Sequence, residues 1–142
     1  MIRLSQSLAD AIRAEGEKTY PHECCGAILG ELDEMGHRVA HEILPIHNAR
    51  ETEEQYHRFR IEANDFLRTE EAARQKKFEV LGFYHSHPDH PARPSGYDQE
   101  YALPFYSYLI VSVAEGRAKN LTSWNLRADR SQFDEEIIQG AR

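Results

Sequence analysis

The sequence predicts a fold in which helices and strands are interspersed, of the α/β or α+β class, with a central sheet and helices packed on it. Three observations carry this reading. Two segments, from Gln6 to about Lys18 and from 64 to 77, show apolar residues at helical spacing, and strand-like runs lie between and after them. The run FYSYLIVSVA at 105–114 is aromatic, β-branched and continuous, the pattern of a strand buried on both faces. No repeat, low-complexity stretch or linker divides the 142 residues, a length that fits one domain over 1–142 and can bury a core without disulfide or metal staples.

Each element has a local cause. In the first helix Leu8 and Ile12 recur at helical spacing with the small Ala9 and Ala11, and Tyr20-Pro21 stops it. CCGAILGEL is a short apolar run that reads as a buried strand. DEMGHR reads as a hairpin turn and VAHEILPI as its return strand. HNARETEEQ is polar and reads as a loop, and HRFRI alternates Phe59 and Ile61 as a half-buried strand does. NDFLRTEEAARQKK places Phe66, Leu67, Glu70 and Ala73 at helical spacing, with Asn64 as N-cap. Phe78 to Tyr84 is apolar and β-prone, with Pro88 ending the strand. SGYDQEYAL reads as a short helix closed by Pro104. A strand near LTSWNLR and a last element near FDEEII complete the chain.

Composition narrows the function classes. A net charge of −7 and the lack of any basic run argue against a nucleic-acid partner. The two cysteines, Cys24 and Cys25, are adjacent; neighbours in a strand point to opposite faces, so free thiols in a reducing compartment are expected. No apolar h-region opens the sequence and no stretch approaches membrane-spanning length, so a cytoplasmic protein without a membrane partner is expected.

Residues 85–98, HSHPDHPARPSGYD, hold the densest chemistry. His85 and His87 sit two apart at a strand end, so their imidazoles share a face and can converge on one ion. Zinc accepts imidazole nitrogen at about 2.0–2.1 Å in a tetrahedral arrangement. Two ligands make a weak site; Asp98, just after the proline-rich loop that turns the chain back, is the best third. Three non-cysteine ligands would leave a position open for water, whose pKa zinc lowers to about 7. Ser95 is placed to donate to an oxyanion, and a general base should be a carboxylate outside the loop. Against this, Ser95-Gly96-Tyr97-Asp98 has the form of a capping box, which on its own is the stronger reading and competes for the same carboxylate. His90 reads as solvent-exposed. His22, His37, His41, His47 and His57 read as surface or hydrogen-bonded residues.

His85-x-His87-Pro88, six residues and then Ser95-x-x-Asp98 resembles the JAMM motif of the MPN+ metalloprotease family. Far upstream, PHECCG at 21–26 resembles that family's P-x-E-x-C-G segment and places Glu23 at its glutamate. The resemblance runs over nearly the whole chain, and for Asp98 it outweighs the capping-box reading. It implies an α/β, cytidine-deaminase-like (JAB1/MPN) fold, a mixed sheet between helices. It implies one Zn²⁺ held by His85, His87 and Asp98. Glu23 would move a proton from the zinc-bound water to the leaving amine, and Ser95 would stabilise the oxyanion.

The implied activity is a zinc metallopeptidase, and the similarity is closer to small prokaryotic members. These act on the C-termini of ubiquitin-like β-grasp proteins, including sulfur carriers, in one case releasing cysteine. An extended tail would add to the sheet beside the 47–57 loop, where Asn48 and Gln55 are candidate contacts. Two alternatives stand beside it: a non-catalytic MPN interaction module, and a different small zinc hydrolase. The H-x-E…P-C-x-x-C deaminase signature and the H-E-x-x-H helix are both missing. Tyr101, Phe105, Tyr106 and Tyr108 would suit either a homodimer face or the core.

Overall fold

In the computed structural model, residues 1–46 and 63–140 are described. Their strands form one eight-stranded mixed sheet. The elements are β1 (Ile2–Arg3), α1 (Gln6–Thr19), β2 (Cys25–Leu32), β3 (Arg38–Ile46), α2 (Ala63–Gln75), β4 (Glu79–Pro88), α3 (Gly96–Tyr101), β5 (Ser107–Ala114), β6 (Arg117–Leu126), β7 (Phe133–Glu136) and β8 (Ile138–Gln139). The strand order is β7-β6-β5-β4-β2-β3-β1-β8. β4 lies between antiparallel β2 and parallel β5, and β5 is buried along nearly its whole length, as its continuous apolar run predicts.

The helices take opposite faces. Ser5 caps α1 by accepting the Leu8 N–H, and the helix buries Ala9, Ile12 and Gly16 against Ile28, Tyr84, Leu109, Val111 and Val113. Fully burying Ile12 alone contributes roughly 1.5–3 kcal/mol. On the other face α2 packs Phe66 and Ala73 with Ala27, Leu29, Phe83 and Tyr108. Alternation along the strands explains this division: Phe83 and Tyr84, or Tyr108 and Leu109, point to opposite sides.

Some expectations shift. Asn64 lies inside the first turn of α2, because the helix already begins at Ala63. The helix buries Thr69, whose hydroxyl donates to the Asp65 carbonyl, and Ala73, whereas Glu70 is exposed and Leu67 is 65% exposed. The last element near FDEEII is two short strands, β7 and β8. β1 has no counterpart in the sequence reading; its two residues pair with both β3 and β8. The hairpin turn at 33–37 forms as read, with Asp33 accepting from the N–H groups of Met35 and His37 and Gly36 at a φ of 81°. Of the proposed dimer-face aromatics, Tyr108 is in the core and Tyr106 packs against it, whereas Tyr101 and Phe105 are exposed. The loop and strand expected at 47–61, with His47, Asn48, Gln55 and His57, lie outside the described residues. Among the described residues no helix is long and apolar enough to cross a membrane.

Candidate metal centre

β4 carries His85 and His87 on the face that also holds Phe83, beyond the end of the core. Cys25 pairs with His85 in the antiparallel β2–β4 ladder, and the pairing continues one step further: Ser86 N–H donates to the Cys24 carbonyl at 3.2 Å. The Ser86 hydroxyl in turn accepts the Cys24 N–H at 2.8 Å. This register sets Glu23 opposite His87. Glu23, His85 and His87 are all buried, and each offers a ligand atom within 4.8 Å of the others.

Asp98 arrives from the first turn of α3. Its Oδ1 is 3.3 Å from His85 Nε2 and its Oδ2 is 3.2 Å from His87 Nε2, while the two Nε2 atoms are 3.1 Å apart. Ser95 caps α3 in a full capping box: its Oγ accepts the Asp98 N–H and its own N–H donates to Asp98 Oδ2. The capping box is formed, and the same carboxylate also reaches both imidazoles, so the two readings of S-x-x-D are compatible. A carboxylate has lone pairs enough for a backbone N–H and for the imidazole side at once, so capping aims Asp98 rather than withdrawing it. Ser95 accepts through its oxygen and keeps its proton to donate elsewhere.

The loop between the ligands is fixed at several points. Asp89, at a φ of 56°, donates its N–H to the Val113 carbonyl and accepts from the Glu115 N–H and the Tyr20 hydroxyl. The Thr122 hydroxyl donates to the Ala92 carbonyl at 2.6 Å, and Trp124 Nε1 donates to Thr122. The consequence reaches His87, whose Nδ1 lies 2.9 Å from the Pro91 carbonyl. A carbonyl only accepts, so Nδ1 carries a proton toward it. This turns Nε2, the other ring nitrogen, toward Asp98 Oδ2. Burial keeps His85 neutral by lowering its pKa. Burial opposes ionisation of Asp98, but the two imidazoles outweigh it and hold the carboxyl well below its usual range. A neutral imidazole, as at His85, and an ionised carboxylate, as at Asp98, are forms that bind a metal ion, and with His87 beside them this donor set fits one.

A cleft of about 550 Å³ opens over these groups, lined by Glu23, His87, Ser95, Asp98, His90 and Arg93 among others. His90 is exposed, as expected. His37 approaches Asp33, and His41 approaches Glu31 and stacks on Phe78, away from the cleft. Both thiols are buried; burial, above all, pushes Cys24 up to about 11 and Cys25 higher still. Sequence reasoning passed over Ser86. The available signal was a polar residue on the face of β4 that otherwise packs against α1.

Residues 5–127 match the family of prokaryotic homologues of the JAB domain. The desampylase of Haloferax volcanii is 33% identical over 93 residues, 65% of this chain; the match spans 63% of that relative's length. A solved structure from Desulfitobacterium hafniense superposes with a TM-score of 0.83 at 29% identity, over 97% of this chain and 91% of that one. A JAB1/MPN domain protein from Archaeoglobus fulgidus shares the fold, with a TM-score of 0.60 at 19% identity over 97% and 94% of the two chains. The JAMM resemblance and the mixed-sheet fold meet here, and the chain belongs to the prokaryotic JAB-domain family.

Proposed function

We propose that the protein is a zinc metallopeptidase that hydrolyses a peptide or isopeptide bond at the C-terminal tail of a ubiquitin-like or sulfur-carrier protein. The observation that carries this is the convergence of Glu23, His85, His87 and Asp98 at one cleft that Ser95 also lines. His85, His87 and Asp98 are the ligands, and the cleft side stays open to water and substrate. A bound zinc ion supplies Lewis acidity to the water and to the scissile carbonyl. Glu23 accepts a proton from the attacking water and returns it to the leaving amine. Ser95 donates its hydroxyl proton to the developing oxyanion. The desampylase relative supports a ubiquitin-like substrate. The free, unbridged cysteines suit a cytoplasmic setting. A homodimer would have Tyr101 and Phe105, both exposed, as its apolar contacts.

The test is metal content together with cleavage of a β-grasp protein carrying a C-terminal extension. Wild type should copurify with zinc and lose activity to a chelator. Glu23→Gln should keep the zinc and lose about 10²–10⁴-fold in turnover, the usual contribution of a positioned acid–base. Protein that binds no zinc and shows no chelator-sensitive cleavage would sink the reading.

A further inference from the structure

α3 is only six residues long, yet Ser95 and Asp98 both depend on it. Helices this short are not stable alone, so their ends must be held from outside. The capping box holds the N-terminal end. At the other end the Ala102 N–H returns to the Asp98 carbonyl at 2.9 Å, which leaves the later carbonyls needing donors.

A single side chain supplies them. Arg130, in the turn between β6 and β7, donates Nη1 to the Ala102 carbonyl at 2.8 Å and Nη2 to the Gln99 and Glu100 carbonyls at 3.0 Å each. The attachment is reciprocal, because Gln99 Nε2 donates back to the Arg130 and Ser131 carbonyls at 3.0 and 2.9 Å. A planar guanidinium can serve three carbonyls at once, and its charge suits a helix C-terminus. Arg130 also has a φ of 65°, a left-handed conformation that glycine adopts with less strain. The three bonds its side chain makes offset that strain. It lies beyond residues 5–127, the part of the chain that matches the family.

From this we infer that Arg130 is a positioning residue for the metal centre: it acts through α3 to hold Asp98 against His85 and His87. The inference rests on the assignment of Asp98 as a ligand. Partners that orient a ligand from behind typically contribute 10–100-fold to metal affinity.

The discriminating variant is Arg130→Gly, which relieves the backbone while removing the clamp. Zn²⁺ affinity, measured by competition with a chromophoric chelator, should fall roughly tenfold or more. The thermal midpoint of the metal-free protein should hold or rise. Arg130→Lys, a point charge that reaches fewer carbonyls, should recover part of the affinity. Gln99→Ala, which removes the return bonds, should weaken it to a smaller degree and serves if the glycine variant folds poorly. In an Asp98→Ala background Arg130→Gly should add no further loss. Wild-type affinity in Arg130→Gly, with a weak Asp98→Ala, overturns the clamp and leaves the ligand assignment standing. Full affinity in Asp98→Ala overturns both. An equal loss from Arg130→Gly with and without Asp98 shows that Arg130 supports the fold at large and overturns the inference.

Discussion

At the scale of single residues, the site depends on side chains that never touch a substrate. Ser86 sits between the two histidines but faces away from them, fully buried, with its hydroxyl on the Cys24 N–H. Cys24 follows Glu23 directly, so this bond fixes the backbone that presents the proposed base. Ser86→Ala leaves a buried N–H without its acceptor, which costs about 1–3 kcal/mol. The denaturant midpoint should fall accordingly. Turnover should fall further than zinc affinity, because the histidines stay on β4 while Glu23 loosens. An unchanged midpoint would show that water or another group replaces the hydroxyl.

At the scale of elements, β4 carries His85 and His87, two of the three proposed ligands, and its closeness to β5 is set by Gly82. A Cβ there would stand 1.9 Å from the Ser107 carbonyl oxygen, which is backbone and cannot rotate away. Gly82→Ala must therefore push β4 from β5. A stability loss at or above the roughly 1–3 kcal/mol of ordinary overpacking is expected in chemical denaturation, together with weaker zinc binding. A variant as stable as wild type would mean that the strands yield freely. Elements of this kind were legible where a period or an apolar run stated them: α1, β2, β4 and β5 follow from their own residues. β1 and β8 were not, because two-residue strands exist only through partners distant in sequence. The site was legible in its spacing, since His85 and His87 share a face wherever a strand holds them. Glu23 entered by resemblance alone, because the β2–β4 register that places it opposite His87 is long-range. That Asp98 can cap α3 and still reach both imidazoles was hidden, because a motif names residues and not the lone pairs they have to spare.

At the scale of the whole molecule, the strand order has a consequence for stability. β7 and β8 stand at opposite ends of the sheet, yet only Ile137 separates them in the chain. The sheet must therefore curl until its edges meet, and it does so around α1, which touches β3, β4, β5 and β6. Glu136 lies at the closure. It accepts from the hydroxyls of Ser107 and Ser123, on β5 and β6, and pairs with Arg38 of β3 at 3.2 Å and with the Met1 amino group at 3.2 Å. Burial raises its pKa, but the two hydroxyls and the two cations outweigh burial and bring it below the ordinary glutamate value. A carboxyl lowered in the folded state stabilises the fold above its unfolded pKa, near 4.3, and that contribution fades as pH falls through the folded value. Glu136→Gln should therefore cost about 1–3 kcal/mol at neutral pH, the order of losing hydrogen bonds to a charged group. Thermal melts of the two proteins between pH 7 and pH 3 should converge as the wild-type carboxylate takes up its proton. A gap that stays constant across that range would show that the hydroxyl bonds, and not the charge, hold the sheet closed.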